Sequence, residues 1–324
     1  MNAIPDKATI LEVRQLIGPV IHRTPLLTNA TLNQLLGCDL FFKCENLQKG
    51  GAFKFRGASH AVMTLDEESA RKGVATHSSG NHAQALSLAA RNRGIRAHIV
   101  MPDSAPRIKV DAVRAYGGEI TFCRPTLEDR EATLEKVMRR TGALEIHPYN
   151  DYRIIAGQAT AAAEILDDLH EPDYLVAPVG GGGLLSGTIL SARYFSKHTR
   201  VVAAEPSQAN DAWKSFRRKA FVPSDNPQTI ADGLRTSLGS LTYPIIMEGV
   251  DDILLATEEA IIQAMILIWE RMKIVVEPSG AVPLAAMMEQ PEHFRGKKVA
   301  VILSGGNVDL FRLPWLENRS FSNR

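Results

Sequence analysis

The sequence has few cysteines and no surplus of charge of either sign. Its three cysteines, Cys38, Cys44 and Cys123, form no close CxxC pair of the kind that structural zinc or a redox disulfide needs, which favours a reduced, cytosolic protein. The 37 basic and 36 acidic side chains nearly cancel, and no basic stripe with interleaved aromatic residues occurs. We therefore expect no nucleic-acid partner.

Long apolar runs are also missing. The longest, residues 260–269, is interrupted by Gln263 and is too short to span a bilayer. Residues 1–16 mix charged and apolar side chains without a continuous apolar core, so neither a signal peptide nor a membrane anchor is expected. The sequence therefore predicts a cytoplasmic protein that does not bind a membrane.

Short apolar runs typical of buried strands do occur, and each is followed by a turn and a helical pattern. The predicted strands are residues 97–101, 174–179, 201–204 and 299–303. The predicted helices, from apolar residues spaced three and four apart, are residues 81–92, 127–141, 155–169, 257–272 and 281–288. This alternation predicts an α/β fold with mostly parallel strands, in which ligands bind at the carboxyl ends of the strands.

Lys54 is the most informative residue, because it stands among aromatic and small side chains in the segment Gly-Ala-Phe-Lys-Phe-Arg-Gly-Ala at 51–58. Desolvation lowers the pKa of an amine and so makes the neutral form, which attacks an aldehyde, available near neutral pH. Lys54 is therefore a candidate for an imine link to an aldehyde. From this segment alone, a solvated lysine in a loop is the alternative.

Three loops rich in glycine, serine and asparagine follow predicted strands. Gly180 to Gly183 precede a helix, and their N–H groups can wrap an anion such as a phosphate monoester. No dinucleotide fingerprint or nucleotide P-loop can be fitted to that stretch. Ser-Ser-Gly-Asn-His at 78–82 predicts a pocket for a carboxylate or ring oxygen, or else a helix cap. Ser304, at the end of the last strand, either meets a ligand or belongs to a plain turn.

Taken in order, these segments resemble one enzyme family. The motifs are Phe-Lys-x-Arg-Gly-Ala at 53–58, Ser-Ser-Gly-Asn-His at 78–82, Ile-Ala-Gly-Gln at 155–158, the four glycines at 180–183 and Ser-Gly-Gly-Asn-Val-Asp at 304–309. From about residue 10 to residue 310 the chain resembles the serine racemase and serine/threonine dehydratase branch of the fold-type II pyridoxal-phosphate enzymes, close to 3-hydroxyaspartate dehydratases. The resemblance implies a tryptophan synthase β-like fold of two open, twisted, mostly parallel sheets flanked by helices. It also implies a large cofactor-binding domain of residues 1–72 and 151–324, and a small mobile domain of residues 73–150.

The resemblance further implies the residues of a site for pyridoxal 5′-phosphate. Lys54 would form the imine, and Phe53 would pack on the cofactor ring. Asn81 would hydrogen-bond the phenolic oxygen, and Ser304 would meet the pyridine nitrogen. The phosphate would lie on Gly180, Gly181, Gly182, Gly183 and Leu184. The substrate carboxylate would lie on Ser78, Ser79, Gly80, Asn81 and His82.

The expected activity follows from these assignments. A neutral hydroxyl at the ring nitrogen makes the ring a weaker electron sink, which favours prompt loss of a β-leaving group over transamination. Lys54 would remove the α-proton, and loss of the β-hydroxyl from L-serine or L-threonine would yield a 2-oxo acid and ammonia. Serine racemases are similar in placing a serine at the position of Ser79, so we predict racemase activity as well.

Other functions stay open on the sequence alone. An L-threo-3-hydroxyaspartate ammonia-lyase or a catabolic threonine dehydratase is the nearest alternative. A β-replacement enzyme similar to cysteine synthase, or a non-catalytic pyridoxal-phosphate-binding protein, is more distant. Arg130 would bind the side-chain carboxylate of 3-hydroxyaspartate, since a guanidinium binds a carboxylate through two hydrogen bonds, or else it belongs to a solvated helix face.

Glu205 and Asp211, six residues apart in a predicted loop, supply the oxygen ligands that Mg²⁺ or Ca²⁺ prefers, or they are two solvated acids. The resemblance implies a divalent ion, Mg²⁺ or else Ca²⁺ or Mn²⁺, on Glu205, the carbonyl of Ala209, and Asp211. It also implies a homodimer. Asn29, Ala30 and Gly50 depart from the hydroxyl residues that mammalian racemases associate with nucleotide activation, so activation by ATP is left open.

Overall fold

The computed structural model describes residue 1 and residues 3–317. The strands are β1 Leu26–Leu27, β2 Asp39–Cys44, β3 Val74–His77, β4 Ala97–Pro102, β5 Glu119–Cys123, β6 Leu144–Glu145, β7 Tyr174–Pro178, β8 Arg200–Pro206, β9 Asp252–Ala256 and β10 Lys298–Leu303. The α-helices are α1 Lys7–Ile17, α2 Ala30–Leu36, α3 Lys54–Met63, α4 Glu67–Lys72, α5 Asn81–Arg93, α6 Arg107–Ala115, α7 Leu127–Thr141, α8 Tyr152–Asp168, α9 Gly183–Phe195, α10 Asp211–Arg218, α11 Thr242–Gly249, α12 Glu258–Leu267, α13 Pro278–Glu289 and α14 Pro314–Glu317.

The strands form two sheets flanked by helices. In the larger sheet the spatial order is β1-β2-β10-β7-β8-β9; the β1–β2 pair is antiparallel and the other pairs are parallel. In the smaller sheet the order is β5-β4-β3-β6, and all its pairs are parallel. The predicted α/β fold with two mostly parallel sheets is therefore confirmed. No helix within the described residues is both long and apolar enough to cross a bilayer.

The predicted buried strands are strands because both of their faces are covered. Along β7, Leu175 and Ala177 pack into one core with Ile155, whereas Val176 packs into the opposite core with Phe42. A strand buried on both faces has an apolar run without alternation, which is the pattern in the sequence.

Three of the five predicted helices agree closely with the structure, and two, α8 and α13, begin three residues earlier than predicted. Helix α7 has both predicted ends, because the Thr126 side chain caps its start and Gly142 ends it in the left-handed region at φ 73°. Helix α13 starts at Pro278 and not at Ala281. Pro278 and Gly280 suggest a turn in the sequence, yet proline is favoured at the first position of a helix, where its missing N–H has no partner to lose.

The two sheets are joined through α3, which begins at Lys54 and packs against both α5 and α8. The four strands of the smaller sheet lie between residues 74 and 145. However, the core under that sheet also includes Val13, Phe55 and Ile154, which come from outside that segment. The predicted boundary between residues 73–150 and the rest of the chain stays a prediction.

A buried ionic network fixes α3 beside β2 and α8. The guanidinium of Arg56 donates hydrogen bonds of 2.8 Å to both oxygens of Glu45 and to both oxygens of Glu164. Lys43 Nζ donates to Glu164 at 2.6 Å, and all four side chains are buried. Because two positive charges meet two negative charges, the network is neutral and fully hydrogen-bonded, as buried charges must be. It holds the first turn of α3, where Lys54 lies.

Candidate active site

Lys54 is held at the start of α3 as a half-buried amine. Its Nζ donates a hydrogen bond of 2.7 Å to the carbonyl oxygen of Pro148 and lies 5.1 Å from the centre of the Phe53 ring. Desolvation by burial lowers the pKa of Lys54 from the usual 10.5 to about 8. The alternative of a solvated lysine is therefore wrong, and Lys54 has the depressed pKa that a nucleophilic amine requires.

The turn from His147 to Asn150 connects Lys54 to the rest of the site. His147 Nδ1 accepts the backbone N–H groups of Tyr149 at 3.3 Å and Asn150 at 2.9 Å, so that nitrogen carries no proton. Burial, with further contributions from His77 and Lys54, lowers the pKa of His147 to about 4. His147 is therefore neutral near pH 7 and presents an Nε2–H donor. The sequence analysis named neither His147 nor Pro148, because nothing in the local pattern of this turn shows what its atoms contact.

The loop of residues 180–184 is buried, and its backbone donors are free. Within the described residues, none of the N–H groups of Gly180 to Leu184 has a protein acceptor. Buried N–H groups are almost always paired, so five successive ones without a protein acceptor favour a ligand or ordered water that accepts hydrogen bonds there. They stand at the start of α9, where the helix dipole also favours an anion. These groups fit the predicted phosphate cradle.

Gly181 is also required by packing, and Gly182 by its backbone conformation. A Cβ on Gly181 would lie 2.3 Å from two ring carbons of Tyr149, so the aromatic ring rests directly on the loop backbone. Gly182 has φ 90°, a conformation that favours glycine. Tyr149 therefore brings the loop next to Pro148, which binds Lys54.

The loop after β10 lies against the segment that precedes Lys54. The N–H of Phe53 donates to the carbonyl oxygen of Ser304 at 3.0 Å, and Ala52 and Gly305 form an antiparallel bridge. Asn307 Nδ2 donates to Asn81 Oδ1 at 3.0 Å, which draws the start of α5 into the same cluster. The structure thus brings together Phe53, Lys54, Asn81, Ser304 and, through Tyr149, the glycine loop.

The loop between β3 and α5 is partly exposed, whereas His82, in the first turn of α5, is buried and in hydrogen-bond contact. Ser78, Ser79, Gly80 and Asn81 are all partly exposed, and Ser78 Oγ accepts the N–H of Gly80 at 3.4 Å. His82 is buried, and its Nε2 lies 2.9 Å from the carbonyl oxygen of Ile146. Burial lowers the pKa of His82 to about 3. Its ring joins α5 to the end of β6, and a role for His82 in substrate binding stays a prediction.

Arg130 does not belong to a fully solvated helix face. The residue is half-buried, and its Nε is buried without a partner in the described part of the chain. Burial, and then the charge of Arg130, lowers the pKa of His77, the last residue of β3, to about 4. A buried, unpaired guanidinium N–H fits a carboxylate that comes from outside the chain.

The predicted metal residues differ from the expected loop. Glu205 is inside β8 and Asp211 begins α10, and both carboxyl groups are buried, so two solvated acids are excluded. Glu205 accepts the N–H groups of Ala212 at 2.9 Å and Trp213 at 2.8 Å, whereas neither oxygen of Asp211 makes a hydrogen bond of ordinary geometry within the described residues, although the Ser224 side chain and the Leu238 backbone lie close enough to lower its pKa. Burial raises the pKa of Asp211 to about 6, and burial together with Asp211 raises that of Glu205 well above its usual range.

These carboxylates could take a cation, although the described side chains do not complete a site. Within residues 1 and 3–317, no group of three or more His, Cys, Asp or Glu side chains is arranged to hold a metal ion. A cavity of about 250 Å³ beside Ala209 and Asp211 leaves room for an ion whose other ligands would be carbonyl or water oxygens. The buried Asp211 oxygens fit a hard divalent cation.

Comparisons with known proteins identify the family of this chain. The sequence matches the family described as pyridoxal-phosphate dependent enzyme over residues 17–305. It is 51% identical to the beta-hydroxyaspartate dehydratase of Paracoccus denitrificans, over 96% of this chain and 99% of that protein. It is 50% identical to the serine racemase of Arabidopsis thaliana, over 94% of each chain. The structure of maize serine racemase superposes with a TM-score of 0.94 at 44% identity, covering 97% of each chain. The chain therefore belongs to the pyridoxal-phosphate dependent enzyme family.

Proposed function

We propose that this protein is a pyridoxal-phosphate-dependent ammonia-lyase for β-hydroxy amino acids, with serine racemase activity. The observation that carries the proposal is the low-pKa amine of Lys54 on Pro148, together with Tyr149, the next residue, on the glycine loop, whose backbone N–H groups at 180–184 have no acceptor within the described residues. An imine-forming amine and a phosphate cradle are the two groups that bind this cofactor at its two ends. L-serine and L-threonine are the proposed substrates, and a 2-oxo acid and ammonia are the products.

The depressed pKa of Lys54 allows it to act as a base. At pH 7 a pKa of about 8 leaves about a tenth of the amines neutral, against about one in three thousand at the usual 10.5. The carbonyl of Pro148 holds Nζ in place while it carries a proton. The bound cofactor supplies the electron sink that makes the α-proton of an amino acid acidic. Gly180 to Leu184 would bind the phosphate, Asn81 the phenolic oxygen and Ser304 the ring nitrogen.

Ser79 is the proposed second proton carrier. It is partly exposed in the middle of the β3–α5 loop, two residues before Asn81, and its hydroxyl makes no hydrogen bond within the described residues. A free hydroxyl there can deliver a proton to the face of the substrate opposite Lys54, which is what racemisation requires. With Lys54 alone, a proton would be exchanged on one face only.

A second candidate substrate is 3-hydroxyaspartate. The observation that favours it is Arg130, whose buried Nε lacks a partner in the described residues. A relative that is 51% identical is named a beta-hydroxyaspartate dehydratase. The second carboxylate of 3-hydroxyaspartate would bind Arg130, whereas serine has no group that would bind it. Arg130 would therefore contribute to the binding of one substrate and not of the other.

A divalent cation, Mg²⁺ or else Ca²⁺ or Mn²⁺, is proposed on Glu205, the carbonyl of Ala209, and Asp211. Two buried carboxyl groups whose pKa values are raised by burial, and for Glu205 also by the charge of Asp211, gain from a nearby positive charge. The hydrogen bonds of Glu205 run to the start of α10 and not to the Lys54 cluster. The ion would therefore be structural or activating and would take no part in the chemistry.

A homodimer is proposed on exposed apolar residues around Leu47 and Val275 and at Leu310 and Phe311. Asn46 Nδ2 donates to the carbonyl oxygen of Val275 at 2.8 Å, so the segments around Leu47 and Val275 meet there. Leu47, Val275, Leu310 and Phe311 are 45%, 43%, 57% and 92% exposed. A second copy is the proposed occupant. Phe311→Lys should give a monomer in analytical ultracentrifugation, and Phe221→Lys, at a half-exposed residue packed on Tyr243, serves as the control.

A cytosolic location is proposed because Cys38, Cys44 and Cys123 are all free thiols.

One set of assays tests the activity. The cofactor-loaded protein is given L-serine, L-threonine and L-threo-3-hydroxyaspartate, with Mg²⁺ or with a chelator, and 2-oxo acid and both serine enantiomers are measured. We expect 2-oxo acid and ammonia from at least one substrate and D-serine from L-serine. Lys54→Ala should lose both turnover and the absorbance of the lysine-bound cofactor. Cofactor binding without ammonia release from any of the three would indicate a non-catalytic binding protein.

A further inference from the structure

Glu277 is a buried carboxyl group that the proposed mechanism does not use. It precedes α13 at the capping position, is 4% exposed, and its side chain makes no hydrogen bond to that helix. The first residue of the helix is Pro278, which has no N–H to offer it. A carboxyl group in this place therefore serves something other than its own helix.

The partner of Glu277 is Asn81. Asn81 Nδ2 donates a hydrogen bond of 2.7 Å to Glu277 Oε1, across 196 residues of sequence. The loop after β10 is shaped around this carboxyl group, because a Cβ on Gly305 would lie 2.3 Å from Oε1 and the N–H of Glu277 donates to the Gly305 carbonyl at 3.0 Å. The glycine after Ser304 thus has a steric reason that its motif alone does not show.

The amide of Asn81 is fixed from both sides. Its Oδ1 accepts from Asn307 Nδ2 at 3.0 Å, and Asn307 Nδ2 also donates to the carbonyl oxygen of Gly50 at 2.7 Å. A flip of the Asn81 amide would place its Nδ2 against the Asn307 donor and lose that bond, and it would also lose the bond to Glu277 whenever that carboxyl group is ionised. One N–H of Asn81 remains for another acceptor.

The charged groups around Glu277 come from two other elements. Asp232, in the turn before Leu234, raises the pKa of Glu277, and Lys109 of α6 lowers it. Burial is the largest influence, and the resulting pKa is about 8. The carboxyl group of Glu277 therefore changes its charge close to physiological pH, one side chain away from the predicted cofactor oxygen.

We propose that Glu277 is a positioning residue, which sets the orientation and the polarity of the Asn81 amide toward the cofactor. The inference rests on the proposed function, since Asn81 is the residue expected to meet the phenolic oxygen. Neutral Glu277 leaves the free N–H of Asn81 a stronger donor, and ionised Glu277 weakens it because the charge already polarises the other N–H. The electronic state of the bound cofactor consequently depends on Glu277.

Two quantities are measured without substrate: the absorbance of the bound cofactor as a function of pH, and the affinity for the cofactor. The proteins compared are the wild type, Glu277→Gln, Glu277→Ala, Asn81→Ala and the double variant Asn81→Ala/Glu277→Gln. Glu277→Gln retains a hydrogen-bond acceptor, so its affinity for the cofactor should stay within about threefold of the wild-type value. Because glutamine does not titrate, the absorbance change that Glu277 causes between pH 7 and 9 should disappear. Glu277→Ala releases the amide and should weaken affinity by about five- to a hundredfold.

In the Asn81→Ala background, Glu277→Gln should leave the absorbance curve unchanged. If Glu277→Gln shifts the absorbance curve equally with and without Asn81, Glu277 does not act through Asn81. If Glu277→Gln has the same absorbance curve as the wild type, the proposal is overturned. If Glu277→Ala does not fold, the Gln variants decide. These readouts need no turnover, so failure of the proposed activity, seen as cofactor binding without ammonia release in the wild type, is a separate result.

Discussion

The Nζ of Lys54 and the carbonyl oxygen of Pro148 lie 2.7 Å apart although 94 residues of chain separate them. This contact joins the first turn of α3 to the turn whose next residue, Tyr149, rests on the glycine loop. The amine is thereby removed from water but keeps one hydrogen-bond acceptor. Burial disfavours its charged form, which is the physical origin of its lowered pKa.

The first prediction concerns the pH dependence of Lys54. Since the folded pKa of about 8 lies below the usual 10.5, the neutral amine of the cofactor-free protein should appear as the pH rises through about 8. Acylation by an amine-selective reagent, followed by mass spectrometry of the Lys54 peptide, should fall about tenfold per pH unit below that midpoint. Peptides with the other lysines provide the internal reference. A midpoint near 10.5 would contradict the desolvated environment.

The second prediction separates the two proton carriers. Ser79→Ala should abolish D-serine formation and leave dehydration of L-serine, because Lys54 is retained. Chiral chromatography and a 2-oxo acid assay on the same samples measure both. The neighbouring Ser78→Ala is the matched control and should change both activities together. Unchanged racemisation in Ser79→Ala would remove that residue from the mechanism.

The third prediction concerns Tyr149 and the glycine loop. In Gly181→Ala the new Cβ would lie 2.3 Å from the Tyr149 ring, so the ring or the loop must move and cofactor retention on dialysis should fall. Tyr149→Ala in the same chain removes the atoms in conflict and should restore part of the retention, as measured by cofactor absorbance. Additive losses in the double variant would show that the two residues do not conflict.

The fourth prediction addresses substrate choice. If Arg130 pairs with a second carboxylate, Arg130→Ala should lower kcat/KM for 3-hydroxyaspartate about ten- to a hundredfold more than for serine. Arg130→Lys should recover only part, because an ammonium cannot bind both carboxylate oxygens in one plane. Arg124→Ala, at a largely exposed arginine paired with Asp129, is the control. Equal losses on both substrates would discard this role.

The fifth prediction concerns stability. Glu164→Ala leaves Arg56 and Lys43 buried with one carboxylate fewer, and urea unfolding should show a loss of about 3–5 kcal/mol. Glu68→Ala breaks the exposed pair with Lys72 and should cost under about 1 kcal/mol. Similar losses in the two variants would mean that the buried network contributes little.

Much of the fold was predictable because it follows from local patterns. Helix α7 has its cap, its apolar spacing and its terminal glycine all within residues 126–142, and β7 is an apolar run that only a doubly covered strand explains. The start of helix α13 was predicted three residues too late, because proline and glycine occur both in turns and at the start of helices. The metal prediction named the right kind of side chain, but it treated Glu205 as a loop residue when it is the penultimate residue of a buried strand.

The sequence by itself determined the α/β class, because that class depends on patterns of neighbouring residues, and it indicated the importance of Lys54 through the ordered set of motifs between residues 53 and 309. The tertiary structure alone decided the surroundings of those motifs. Glu277 against Asn81, Tyr149 against Gly181 and Pro148 against Lys54 each join residues far apart in sequence. Such contacts set burial, and burial sets the pKa of an amine or a carboxyl group, so the chemistry of these residues could not be read from their neighbours in the chain.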